Sequence, residues 1–133
     1  MTPREILLVD DDSENRDVLA QVLQAHGYTV RQAENGRIAL DMIAERVPGI
    51  LLLDLEMPVM SGWEVLTSLQ RSGALKVIAV VVLSAIASPP LGVAFMRKPC
   101  GIDDLIRMLA GVGGPRGADA WPARGDPRSP PRR

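Results

Sequence analysis

Residues 6–12 read Ile-Leu-Leu-Val-Asp-Asp-Asp, a run of four aliphatic side chains that ends in three acids. Such a run is typical of a strand buried on both faces of a parallel sheet. Residues 49–53, Gly-Ile-Leu-Leu-Leu, have the same character and lead into Asp54, with Glu56 two positions later. Because sites in open parallel sheets form outside the carboxyl ends of the strands, we expect these acids to meet at one edge of a sheet.

On either side of these stretches, extended apolar runs alternate with helical periodicity. The predicted strands cover 6–9, 28–31, 49–53, 77–83 and 94–97. The predicted helices are one with an N-cap at Ser13 and its end at Gly27, and others over 36–46, 63–71 and 102–110. This alternation predicts an α/β fold in which helices cover both sides of a parallel sheet.

The composition of the 133-residue chain fits one domain with an aliphatic core, since 47% of the residues are hydrophobic and only 3% are aromatic. The formal net charge of −1 argues against nucleic acid or an anionic membrane as the main partner. Cys100 is the only cysteine, which suits a reducing cytosol. With no signal-peptide pattern and no apolar run long enough for a bilayer, we expect a cytoplasmic protein without membrane contact.

The composition changes near residue 112. Residues 113–133 are rich in Pro, Gly and Arg, and Trp121 is almost the only large apolar side chain among them. Such a segment has little to bury, so we expect it to be disordered. We therefore predict a folded domain at 1–112 and a tail at 113–133, whose five scattered arginines do not indicate direct nucleic-acid binding.

The predicted acidic edge has the composition of a metal site. The carboxylates of Asp10, Asp11 and Asp54 would repel one another without a cation between them. Mg²⁺ suits a site of a few carboxylates that keeps several waters. The other interpretation is that such acids are helix N-caps or solvated loop residues, and for Asp12 the sequence favours neither interpretation.

Two more polar groups lie at predicted strand ends. The fourth strand leads into Ser84, and the fifth leads into Lys98. Together with Asp54 and a metal, a hydroxyl and an ammonium group are the parts needed to place a phosphoryl group on a carboxylate and to hold it there.

At this point the sequence resembles the receiver domains of two-component response regulators. The matching stretches are 6–12, 52–58, 61–62, 82–85 and 98–99, and the resemblance covers residue 4 to about residue 111. It implies a flavodoxin-like (CheY-like), doubly wound sheet of five parallel strands in the order 2-1-3-4-5.

The resemblance also implies how a phosphoryl group would arrive. Asp54 would accept it from the phosphohistidine of a sensor histidine kinase or a phosphotransfer protein. Asp10 and Asp11 would hold Mg²⁺, with Asp11 the more direct ligand, and Glu56 would offer its backbone carbonyl to the metal.

Three residues would respond to the phosphoryl group, according to the same resemblance. Ser84 would donate a hydrogen bond to it, and Lys98 would pair with its charge. Phe95 stands where the family has an aromatic switch, often Tyr, so a switch here would rest on ring packing without a hydroxyl.

The chain departs from the family between Ser84 and Lys98. Only 13 residues, 85–97, separate them, and they must contain a crossover and a strand. A crossover with its helix takes at least about 10–12 residues, and Pro89-Pro90 disfavours helix. We predict that the fourth helix is shortened or missing and that apolar surface near Val81, Leu83 and Phe95 is exposed for a second copy of the chain or another partner.

These observations leave three functions open. The leading hypothesis is a stand-alone phospho-receiver that signals by docking on a downstream protein and is not an enzyme, beyond its own phosphorylation and dephosphorylation. The short crossover motivates an alternative, a receiver-like interaction module that works without phosphorylation. The third is an aspartyl-phosphate hydrolase, which the position of Asp54 on the third strand and the lack of room for a cap disfavour.

Overall fold

Five strands form one parallel sheet in the order β2-β1-β3-β4-β5 in the computed structural model, which describes residues 5–57, 59–85, 93–98 and 100–112. The strands are Glu5–Val9 (β1), Thr29–Ala33 (β2), Ile50–Asp54 (β3), Ala79–Ser84 (β4) and Ala94–Arg97 (β5). The α-helices are Ser13–Ala25 (α1), Gly36–Glu45 (α2), Gly62–Ser72 (α3) and Ile102–Val112 (α4). The predicted flavodoxin-like fold class and strand order are therefore confirmed.

The apolar runs are buried because helices cover both faces of the sheet. Every residue of β1, β3 and β4 is buried, and successive side chains of these strands alternate between two apolar clusters. One cluster includes side chains of α2 and α3, and the other includes side chains of α1 and α4. The central strands are thus held from both sides, which fixes where their carboxyl ends lie.

The fourth strand begins two residues later than the sequence predicts. The fourth strand was expected from Val77, but β4 begins at Ala79 because a 3₁₀ turn at Ala74–Lys76 precedes it. The backbone N–H groups of Val77 and Ile78 both donate to the carbonyl of Ala74, at 3.0 and 3.1 Å, so these two residues complete the turn.

The connection from β4 to β5 is short. β4 ends at Ser84 and β5 begins at Ala94, which leaves nine residues between them. Of these, only Ala85 and Val93 are described, and neither is helical. The rest of the segment on which the shortened fourth helix was predicted, 86–92, lies outside the described residues, as does the predicted tail at 113–133.

The expectation of an exposed apolar patch around β4 is wrong for two of its three residues. Val81 and Leu83 are 0% and 6% exposed, because they belong to the cluster that includes Leu105 and Leu109 of α4. Phe95 is partly buried on β5 and packs against the opposite cluster. Within the described residues, no helix has the length and apolarity needed to cross a membrane.

Candidate functional site

Three carboxylates meet at the carboxyl edge of the sheet. β1 and β3 are neighbours with Val9 opposite Leu53, so Asp10 and Asp54 occupy equivalent places at their ends. One carboxylate oxygen from each of Asp10, Asp11 and Asp54 lies within 4.8 Å of the others. The sequence prediction that these acids come together agrees with this geometry, although their roles as metal ligands stay a prediction.

Asp10 is fixed in place by the start of α1. Its side chain is buried, and its two carboxylate oxygens accept hydrogen bonds from the backbone N–H of Asp12 at 2.9 Å and from Asn15 Nδ2 at 3.0 Å. Arg16 donates to the Asp10 backbone carbonyl at 2.7 Å. Asp11, by contrast, is exposed, so its carboxylate is the better placed of the two for direct contact with a solvated ion.

Asp54 is a buried carboxylate with one cationic partner. It is 2% exposed, and its Oδ2 accepts a hydrogen bond from Lys98 Nζ at 3.0 Å while its Oδ1 accepts one from the backbone N–H of Glu56 at 3.1 Å. Burial raises the pKa of Asp54 and the charge of Asp10 adds to this, while Lys98 and the Glu56 N–H oppose it without cancelling it. The Asp54 carboxyl is therefore harder to ionise than an ordinary aspartate, even though Lys98 favours its charged form.

Lys98 reaches the site in spite of the short crossover. Its backbone N–H donates to the carbonyl of Ser84 at 2.8 Å, which ties the residue after β5 to the end of β4. Burial lowers the pKa of Lys98, but the hydrogen bond from Lys98 to Asp54 and the charges of Asp54, Asp10 and Glu56 together raise it above the ordinary value. The ammonium therefore stays protonated at neutral pH.

Ser84 lies at the same edge, but its hydroxyl contacts a different acid. Ser84 is fully buried, and its Oγ donates to Glu56 Oε2 at 2.6 Å. The other oxygen of that carboxylate accepts the backbone N–H of Ala85 at 3.0 Å. The sequence assigned only a backbone carbonyl role to Glu56, so this side-chain contact is new.

A glycine lets α3 start directly against the strand that carries Asp54. A Cβ at Gly62 would lie 2.6 Å from the Asp54 carbonyl oxygen and 2.7 Å from the Leu55 Cα. The Gly62 N–H donates to the Leu55 carbonyl at 3.1 Å, and Ser61 caps the helix in a capping box with Glu64. This packing fixes the backbone on which Asp54 sits.

The predicted switch residue lies on the edge strand β5. Phe95 pairs with Val82 across the β4–β5 ladder and is partly buried.

The sequence did not predict three of the polar contacts at the site, those made by Asn15, Arg16 and the Glu56 carboxylate. Asn15 and Arg16 follow the acids by a few positions in the first turns of α1, which was the only signal for them.

Comparison with known proteins agrees with this geometry. Residues 6–110 match the family model described as response regulator receiver domain. The response regulator MprA of Mycolicibacterium vanbaalenii is 33% identical over 113 residues, which cover 80% of this chain and 49% of that protein. The chain therefore spans about half the length of this relative.

Solved structures with the same fold include two receiver proteins. A CheY-like receiver domain protein from Methanospirillum hungatei has a TM-score of 0.75 at 28% identity, covering 83% of this chain and 94% of that one. The response regulator TrrA of Thermotoga maritima, crystallised in complex with Mg(2+)-BeF, has a TM-score of 0.70 at 26% identity, covering 84% of this chain and 98% of that one.

Proposed function

This chain belongs to the response regulator receiver domain family, and on that premise we propose that it accepts a phosphoryl group on Asp54. The donor is a phosphohistidine on a sensor histidine kinase or a phosphotransfer protein. The observation that carries the proposal is the buried Asp54 carboxylate, which has Lys98 Nζ at 3.0 Å and the carboxylates of Asp10 and Asp11 beside it.

The transfer exchanges one bond to phosphorus for another. A carboxylate oxygen of Asp54 forms a bond to phosphorus as the phosphorus–nitrogen bond to the donor histidine breaks, and the imidazole leaves with the electron pair. Negative charge on the phosphoryl oxygens then needs cations close by. Lys98 supplies one, since its ammonium already lies at hydrogen-bond distance from Asp54.

The residues present fit Mg²⁺, which we propose as the cofactor. The three carboxylates are hard oxygen donors grouped within 4.8 Å, and a small set of carboxylates among the described residues suits an ion that keeps several waters. Bound there, Mg²⁺ would offset charge on the phosphoryl oxygens. Asp11, Asp54 and the Glu56 backbone carbonyl would hold it directly, and Asp10, whose carboxylate oxygens also accept two hydrogen bonds, would complete the acidic group around it.

In this proposal, phosphorylation of Asp54 signals to other proteins by changing the surface that they bind. Ser84 and Phe95 lie at the end of β4 and on the neighbouring edge strand β5, so a rearrangement at Asp54 reaches the sheet edge through one pair of strands. The downstream partner is a protein, or a second copy of this chain, in the cytoplasm. The chain's own catalysis is limited to its phosphorylation and dephosphorylation.

Acetyl phosphate with MgCl₂ tests the acceptor role. We expect one phosphoryl group per chain by intact mass, lost on Asp54→Asn and retained on Asp41→Asn, which removes an exposed carboxylate on α2. Omission of Mg²⁺ should abolish the adduct. An unmodified wild-type chain under these conditions would refute the proposal and would favour an interaction module that works without phosphorylation, the function that the nine-residue crossover suggests.

A further inference from the structure

The Glu56 side chain bridges two hydrogen-bond donors at the end of β4. Its Oε2 accepts the hydroxyl of Ser84 at 2.6 Å, and its Oε1 accepts the N–H of Ala85 at 3.0 Å. Each carboxylate oxygen thus has its own donor, one from a side chain and one from the backbone. Ser84 is fully buried, so its hydroxyl needs a hydrogen-bond partner within the protein.

The same two donors lie beside the strand that carries Asp54. Asp54 pairs with Leu83 across the β3–β4 ladder, so Ser84 and Ala85 are the next residues along the neighbouring strand. A phosphoryl group on Asp54 brings anionic oxygens, for which a hydroxyl and a backbone N–H are suitable donors. A carboxylate and a phosphoryl group would therefore compete for one pair of donors.

We propose that the Glu56 carboxylate is an internal stand-in for the phosphoryl oxygens, which holds Ser84 and Ala85 in the unphosphorylated arrangement and must release them when Asp54 is modified. The inference rests on the proposed acceptor function and adds a residue that opposes it. Because Glu56 belongs to the same chain, it competes at a high effective concentration. Its removal should make the phosphorylated arrangement easier to reach.

Binding of beryllium trifluoride with MgCl₂, measured by calorimetry, tests the competition without phosphoryl transfer. Glu56→Ala removes the carboxylate, and Glu56→Asp keeps the charge but is one methylene too short to span both donors. We expect both variants to bind beryllium trifluoride about ten- to a hundredfold more tightly than the wild type, the range for one lost hydrogen bond to a charged group. Glu34→Gln, an exposed charge just after β2, should bind like the wild type.

The Asp variant separates this inference from simple repulsion between like charges. If Glu56→Ala binds more tightly and Glu56→Asp binds like the wild type, charge alone accounts for the effect and the stand-in role is overturned. Equal affinity in all variants overturns it as well. If neither the wild type nor any variant binds beryllium trifluoride, the proposed acceptor function fails, and this inference fails with it.

Two NMR measurements check the contact directly. In the ligand-free protein, the amide proton of Ala85 should shift upfield in Glu56→Ala, because it loses a carboxylate acceptor. In the wild type, the side-chain carboxyl carbon of Glu56 should shift when the fluoride saturates the site. This second measurement needs no variant to fold, and an unmoved resonance would contradict the exchange of partners.

Discussion

Burial of the Asp54 side chain disfavours its charged form, whereas Lys98 favours it. Its carboxylate is almost fully buried, which disfavours ionisation, and Lys98 compensates only part of the penalty, so the pKa of Asp54 stays above its ordinary value. An uncharged side chain of the same shape would avoid the penalty. The residue that makes the site reactive therefore lowers the stability of the fold at neutral pH.

Asp54→Asn should accordingly stabilise the metal-free protein at neutral pH, by on the order of 1 kcal/mol, because the variant avoids the cost of ionising a buried carboxyl whose pKa is raised. Below the ordinary pKa of 3.8, Asp54 is protonated in both folded and unfolded chains, and the advantage of Asn disappears. As the pH rises through the raised pKa of the folded state, the unfolded chain holds fewer protons, so the wild type loses stability relative to the variant. Urea unfolding in EDTA from about pH 4 to pH 8 measures this difference.

The opposite slope, or a less stable variant at neutral pH, would contradict the account. It would mean that the ion pair with Lys98 outweighs burial. That outcome is less expected because the Lys98 side chain is 30% exposed, so its ammonium can reach solvent when Asp54 is replaced.

Asp12 belongs to the helix rather than to the acidic pocket, which answers the question that the sequence left open. Its carboxylate accepts the backbone N–H groups of Glu14 and Asn15, at 3.1 and 3.2 Å, and it is the N-cap of α1. The prediction of Ser13 as the N-cap was wrong by one position, because either side chain suits a cap and only the backbone angles decide which residue precedes the first turn.

Asp12→Ala should therefore lower the free energy of unfolding by about 1 kcal/mol and leave the phosphorylated yield unchanged. Asp12→Ser keeps a capping oxygen and should lose at most a few tenths of that amount. Chemical unfolding and the acetyl phosphate reaction on the same samples give both quantities. Loss of the phosphoryl adduct in the Ala variant would show that Asp12 serves the pocket after all.

Gly62 couples a helix to the acceptor strand. A Cβ there meets backbone atoms of Asp54 and Leu55 at 2.6 and 2.7 Å, and backbone cannot move aside as a side-chain tip can. Gly62→Ala should cost about 1–3 kcal/mol of stability and reduce the rate of phosphorylation, since Asp54 must shift. Gly111→Ala has nothing within 4 Å of the new carbon and should be neutral or slightly stabilising. Equal effects from the two substitutions would refute the coupling.

Helix faces were less predictable than strands. Apolar spacing along α1 would place Val18, Leu19, Val22 and Leu23 on one face, but Val18 is 61% exposed, and the buried residues are Leu19, Ala20 and Leu23. A strand buried on both faces needs no orientation, whereas a helix with apolar residues around much of its circumference is oriented by what it packs against. Propensity and spacing carry no information about that neighbour.

At the scale of the molecule, topology explains which parts of the site were predictable. A parallel sheet places the ends of β1 and β3 at one edge, and the strand order that the family resemblance implies makes them neighbours, so the grouping of Asp10, Asp11 and Asp54 was predictable. The contact from Glu56 to Ser84 did not, because it depends on how one side chain turns between two strand ends. Sequence order specifies which residues share an edge, and packing decides which of them touch.

The grouped carboxylates predict that Mg²⁺ stabilises the whole domain. Their mutual repulsion disfavours the folded chain, and the unfolded chain does not gather them, so the ion binds the folded state in preference. At a free concentration a hundredfold above its dissociation constant, a ligand of this kind raises the free energy of unfolding by about 2.7 kcal/mol.

Urea unfolding in MgCl₂ and in EDTA with matched ionic strength should show such an increase, growing with the logarithm of the metal concentration. Asp11→Asn should lose most of the increase while folding normally in EDTA, because Asp11 is exposed and neutralising it relieves repulsion. Asp41→Asn, on the exposed side of α2, should keep the full increase. A wild-type domain whose stability is the same in MgCl₂ and in EDTA would mean that the three acids do not hold the ion, and the acceptor chemistry proposed for Asp54 would lose its cofactor.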